Sequence, residues 1–113
     1  MSATIIKGAR ILGADAQDIL ISDNVIAEVG AGLSKAGAQV VDLAGLIALP
    51  GLVDLHTHLR EPGREDAETV ETGTLAAALG GYTAVHAMAH TDPVADPAGV
   101  VERVWLAGRQ AGP

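Results

Sequence analysis

The sequence predicts a mixed α/β chain, with a small β-module over residues 1–49 and the start of a parallel strand–helix array over residues 50–113. Three observations carry that expectation. From Leu52 onward, apolar runs of strand length alternate with segments of helical character, in the order strand, helix, strand, helix. Before Pro50 the chain is cut into short β-rich runs by Gly, Asp and Asn. Hydrophobic residues make up 49% of the 113, with no Phe, one Trp and one Tyr. The core is therefore expected to be built from Val, Leu, Ile and Ala, which suits parallel strands packed against helices.

In the β-module, Thr4 to Leu12 reads as a first strand with a bulge or turn at Gly8. Asp18 to Ile21, a turn at Ser22-Asp23-Asn24, and Val25 to Val29 form a hairpin pattern, and Gln39 to Leu43 is a further strand. Asp15, Asp18 and Asp23 read as solvated turn acids. In the second half, Leu52 begins a strand that runs into two histidines. Arg64 to Leu79 reads as a helix stopped by Gly80-Gly81. Glu65, Asp66, Glu68 and Glu71 invite a metal or general-acid reading, but favourable charge at a helix N-terminus accounts for them better. Tyr82 to Met88 is a second buried-type strand, followed by the polar loop Ala89 to Pro93. A second helix starts at Asp96-Pro97, with Asp96 as N-cap and Pro97 at the first helical position. Its stripe of Val100, Val101, Val104, Trp105 and Leu106 places Trp105 in core packing.

The net charge of −7 argues against a nucleic-acid partner, because phosphate binding needs a basic surface. With no cysteine there is neither a disulfide framework nor a thiolate metal site. No apolar run has the length of a membrane span, and the first residues do not pattern as a signal peptide, so a cytoplasmic protein without membrane contact is expected.

The chemistry concentrates in Pro50-Gly-Leu-Val-Asp-Leu-His-Thr-His-Leu-Arg-Glu-Pro-Gly63. On an extended strand Asp54, His56, His58 and Arg60 share one side, while Val53, Leu55, Thr57 and Leu59 take the other, where a helix layer would cover them. Two imidazoles two residues apart can reach one divalent ion, with an oxygen ligand from elsewhere completing the site. A bare His-x-His is more often an unremarkable polar strand end. The flanking acid and arginine, backed by Leu-Val-Leu, raise the metal reading above that base. Both strands end in polar loops, where α/β proteins place their sites, so His56, His58, Arg60 and His90 are expected to converge.

This stretch, followed by Glu-Asp-Ala-Glu-Thr-Val-Glu-Thr-Gly and Gly-Gly-Tyr-Thr-Ala-Val, resembles the bacterial dihydroorotases of the amidohydrolase superfamily, most specifically from Gly45 to Pro93. Leu-Arg-Glu-Pro-Gly points to that branch. Allantoinases usually carry asparagine where Arg60 stands, and hydantoinases lack the arginine. The resemblance implies a distorted (β/α)8 TIM-type barrel of which residues 50–113 supply the first two β/α units. It also implies a small β-sandwich-like accessory domain to which residues 1–49 contribute. The activity implied is the reversible, metal-dependent ring opening of dihydroorotate to N-carbamoyl-aspartate in pyrimidine biosynthesis.

By the same resemblance, His56 and His58 match zinc ligands, for one ion or two, and Arg60 matches the arginine that binds the substrate carboxylate, with His58 beside it. Asp54 matches an acid that supports the ligands rather than binding metal. His90 stands where the family usually has a carboxylate-binding asparagine. Imidazole can donate the same hydrogen bond. His86 stands where the family commonly has an apolar residue. A barrel of this kind takes about 250 residues, so the chain is expected to be an N-terminal portion. The remaining ligands and the general base would then lie downstream, with no catalytic acid or base among these residues. Two other readings stay open: another cyclic amidase of the hydantoinase or allantoinase kind, or a non-catalytic homologue that serves as structural partner of aspartate carbamoyltransferase. A homo-oligomer is equally compatible.

Overall fold

The computed structural model describes residues 3–111. It divides into two compact units, Met1–Pro50 and Gly51–Pro113.

The first unit is one five-stranded sheet. Its strands are β1 (Ala3–Ile11), β2 (Ala16–Ser22), β3 (Val25–Gly30), β4 (Gln39–Asp42) and β5 (Ile47–Ala48). The order is β3-β2-β1-β4, with β5 also on β1. β1 and β2 are antiparallel, as are β2 and β3, whereas β4 and β5 run parallel to β1. The hairpin between β2 and β3 turns at Asp23 and Asn24, both at positive φ (53° and 62°). Two such residues in a row match the twist of the strands they join, and Asp and Asn tolerate that conformation best. β5 adds to the strands that the sequence predicts. It is only two residues long and is defined by its bonds to Arg10 and Leu12 rather than by any pattern of its own. Among the described residues the unit holds a single sheet, without the second layer of a sandwich.

The expected irregularity at Gly8 is present. The β1–β2 register shifts between Ile6 and Ala9, and Gly8 sits at φ +67°. The bulge turns the Gly8 amide out of the ladder, and Asp18 takes it up at 3.0 Å. The same carboxylate accepts from Lys7 Nζ at 2.8 Å and from the Leu33 amide at 3.0 Å. Asp18 is therefore not a solvated turn acid. It is buried in β2 beside Ile19 and Leu20, and it is held there because three donors replace its water. The core of this unit is Ile5, Ala9, Ile19 and Leu20. Val25, Ile26, Val29 and Val40 on the outer strands are exposed.

The second unit runs β6 (Leu52–Thr57), α1 (Val70–Leu79), β7 (Tyr82–Ala87) and α2 (Ala98–Gln110), with β6 and β7 parallel. The expected order of elements holds, but both helices start later than expected. Residues 64–68 form turns instead of helix, closed by bonds from the Ala67 and Glu68 amides to the Arg64 carbonyl. The helix begins only where Thr69 and Thr72 cap each other reciprocally, at 3.1 and 3.0 Å. Of the four acids, only Glu71 lies in the first turn. Glu65 instead accepts the Gly63 amide, and Asp66 pairs with Arg64. In α2 the N-cap is Pro97, not Asp96, and no side chain caps it.

Two expectations about burial fail in this unit. Val53 and Leu55 are exposed, Leu55 at 71%, whereas Leu59, past the strand end, is buried at 7% exposure. Trp105 is 56% exposed rather than in the core. Arg109, one turn along, lays its guanidinium 4.9 Å from the ring centre and gives the indole a charged partner at the surface.

Lys7, Gly8 and Leu33 together hold the Asp18 carboxyl below its ordinary pKa, the Lys7 hydrogen bond contributing most. A lowered carboxyl pKa stabilises the fold fully above the ordinary carboxylate range and loses that contribution as pH falls through the lowered value. Asp18→Asn in the full-length protein should therefore lower the urea midpoint at pH 7. The gap from wild type should close in acid, below about pH 4. Equal midpoints at pH 7 would show that the three donors do not hold the sheet.

Candidate functional site

β6 ends at Thr57, whose carbonyl accepts the Met88 amide just past the end of β7 at 2.9 Å. The β6–β7 register shifts between Asp54 and Thr57, so the simple alternation of faces does not run through to Arg60. Asp54 Oδ1 accepts the backbone amide of His56 at 2.9 Å, across this irregular stretch. The acid thus supports His56 through the main chain rather than through its ring.

The ring centres of His56 and His58 are 5.2 Å apart, with planes tilted by 58°. His90 stacks on His58, its ring centre 5.1 Å from that of His58 and nearly parallel at 15°. His58 is the middle ring of three. Its Nδ1 is buried and has no hydrogen-bond partner, as is the case for Thr57 Oγ1 beside it. Burial first, then the charges of Arg60, His90 and His56, hold the His58 imidazole below its ordinary pKa. A neutral imidazole with an unengaged ring nitrogen is the form that binds a metal ion. Among the described residues no group of three or more His, Cys, Asp or Glu gathers around a common point. The pair His56 and His58 is thus at most part of a ligand set. His86 is exposed on β7 and takes no part in the ring stack.

Arg60 is exposed and sits at φ +62°. For a residue with a side chain, this left-handed backbone costs on the order of 1–2 kcal/mol. The turn is closed from both sides, by Glu61 N to Leu59 O at 2.7 Å and by Arg64 N to Arg60 O at 2.9 Å. Arg60 joins none of the ion pairs among the described residues.

The family model described as dihydro-orotase-like matches residues 45–111. The chain belongs to that family. It is 63% identical to a dihydroorotase of Streptomyces coelicolor, over 99% of this chain and 26% of that protein. A dihydroorotase of Mycobacterium tuberculosis is 54% identical over 97% of this chain and 26% of its own length. Among solved structures, an L-hydantoinase (dihydropyrimidinase) from Arthrobacter aurescens superposes with a TM-score of 0.82 at 26% identity, covering 95% of this chain and 25% of that one. A D-hydantoinase superposes with a TM-score of 0.76 at 32% identity, covering 93% and 24%. The chain spans about a quarter of the length of these proteins.

The run Arg60-Glu61-Pro62-Gly63 contains the parts that sequence reasoning missed. Glu61 Oε2 accepts the Val70 amide, the first of α1, at 2.8 Å. The Pro62 carbonyl accepts the Asp92 amide at 2.9 Å, which ties the loop after β6 to the loop after β7. Gly63, at φ +111°, lies so close that a Cβ there would meet Asp92 Cβ and O at 2.6 Å and its N at 2.9 Å. This contact holds the loop bearing His90 against the loop bearing His58 and Arg60. Pro-Gly marks a turn in the sequence, but no local pattern says which distant backbone that turn touches.

Gly63→Ala should accordingly cost more stability than Gly81→Ala. Gly81 has a comparable φ of +87°, and a methyl there would meet nothing within 4 Å, so its substitution incurs only the backbone strain. We expect about 1–2 kcal/mol for Gly81→Ala and roughly 1–3 kcal/mol more for Gly63→Ala, read from urea unfolding. Equal losses would show that the Asp92 loop yields freely.

Proposed function

We propose that this chain supplies the N-terminal quarter of a dihydroorotase, an enzyme that hydrolyses the cyclic amide of dihydroorotate to N-carbamoyl-aspartate and reverses that reaction. Water adds across the ring amide: the C–N bond breaks, hydroxyl goes to the carbonyl carbon and a proton to the nitrogen. In this reading the sheet of Met1–Pro50 is part of an accessory β-domain. The unit Gly51–Pro113 is the first two β/α units of a (β/α)8 barrel. The observation that carries the proposal is the set of three stacked and tilted imidazoles, at the end of β6 and on the loops after β6 and β7, near an arginine that has no ion-pair partner among the described residues.

His56 and His58 would hold the metal, zinc by resemblance. Their ring centres lie 5.2 Å apart, close enough for both to reach one divalent ion. When bound, a divalent ion supplies Lewis acidity toward the ring carbonyl. Burial and the neighbouring charges, which lower the His58 pKa, favour the neutral ring that can offer a lone pair. Asp54 fixes the backbone on which His56 stands. Arg60 offers a planar fork for the substrate carboxylate, and His90, stacked on His58, adds a second donor where asparagine is usual. The general base and the remaining ligands belong to residues outside this chain.

The similarity to two hydantoinases favours a second reading, hydrolysis of a hydantoin-like ring. Arg60 weighs against it, since a hydantoin carries no ring carboxylate for a guanidinium to bind. A non-catalytic partner of aspartate carbamoyltransferase would not need a neutral histidine beside a second imidazole.

In the full-length protein, His56→Ala and His58→Ala should each lower bound zinc and cut turnover of dihydroorotate by at least about 100-fold. Metal content is measured by mass spectrometry on dialysed protein, and turnover with dihydroorotate and hydantoin in parallel. Full metal content with undiminished turnover would overturn the ligand assignment, and preference for hydantoin would favour the second reading.

A further inference from the structure

We propose that Glu61 is a positioning residue for Arg60: by bonding the first amide of α1, its carboxylate locks the left-handed turn that aims the arginine. The inference rests on the reading of Arg60 as the substrate-carboxylate donor.

Three features of the structure converge on it. Arg60 occupies, at φ +62°, a left-handed backbone region that residues with a side chain seldom adopt and that costs free energy to keep. The local bonds across the turn, Glu61 N to Leu59 O and Arg64 N to Arg60 O, hold its shape but do not tie it to α1. The direction is set at both shoulders. Leu59 is buried, with its Cδ2 only 2.7 Å from where a methyl on Gly73 of α1 would stand. On the other side, Glu61 Oε2 accepts the amide of Val70, itself 1% exposed, at 2.8 Å. Arg60 thus lies between two residues that are both anchored on α1.

The Glu61 carboxylate is spent on this contact. It forms no ion pair among the described residues, with Arg60 or with Arg64. Its charge therefore does not neutralise the neighbouring guanidinium, which stays free for an anionic ligand. The Val70 amide is one of the unpaired donors of a helix start, where a carboxylate acceptor is favoured. An uncharged oxygen in the same place still accepts the bond, and this separates the roles that Glu61 could have. If its task is to hold a turn, glutamine suffices. If its charge acts on the substrate, glutamine fails.

The test is steady-state kinetics of the full-length metal-loaded protein with dihydroorotate, together with titration of N-carbamoyl-aspartate by calorimetry. Four proteins are compared: wild type, Arg60→Ala, Glu61→Ala and Glu61→Gln. Arg60→Ala should raise KM and weaken product binding by on the order of 10- to 100-fold. Glu61→Ala should reproduce part of this, on the order of tenfold, with kcat within about twofold and zinc content unchanged. Glu61→Gln should return KM and product affinity to near the wild-type values. A Glu61→Ala variant that loses thermal stability but keeps its KM would overturn the inference, leaving Glu61 as a helix cap alone. So would a Glu61→Gln variant as impaired as alanine. If Arg60→Ala itself leaves KM and product affinity unchanged, the reading of Arg60 fails and the inference falls with it. An effect at Arg60 without one at Glu61 defeats the inference only.

Discussion

The second unit depends on a backbone approach so close that it admits no side chain. Gly63 faces the main chain of Asp92, and the neighbouring Pro62 carbonyl takes up the Asp92 amide. Two loops that leave adjacent parallel strands are thereby joined beyond the sheet, where no ladder bonds remain to align them. His90 can stack on His58 because of that junction. A polar cluster built on loop ends is otherwise free to spread, and each ring would then find water rather than its neighbours.

The first unit solves a different problem with a similar economy. A bulge in a central strand leaves an amide without a ladder partner, and burial there would be costly unless a polar group reached it. Asp18 reaches it and collects Lys7 and the Leu33 amide as well. One acid thus satisfies the bulge, neutralises a lysine and ties down the segment that follows β3.

Much of this architecture is legible in the sequence, and the exceptions share a cause. The strand–helix–strand–helix order, the hairpin, the bulge at Gly8 and the stop at Gly80-Gly81 follow from local periodicity and from residues with strong backbone preferences. The nearness of His56, His58 and His90 follows from both strands ending in polar loops. What escapes is set by partners far along the chain. Asp18 looks like any turn acid until Gly8 and Leu33 are seen to point at it. The start of α1 is hidden because Glu65, Asp66 and Glu68 imitate a first helical turn, whereas the Thr69–Thr72 pair decides it. Trp105 carries the apolar pattern of a core residue, but Arg109 gives it a surface role.

The left-handed turn at Arg60 has a consequence for how this position can change. Asparagine occupies that backbone region far more readily than arginine does. Replacing Arg60 by asparagine would relieve strain and make the fold more robust, while removing the guanidinium fork. The guanidinium at position 60 is thus presented at a cost in backbone energy that a shorter polar residue would not incur.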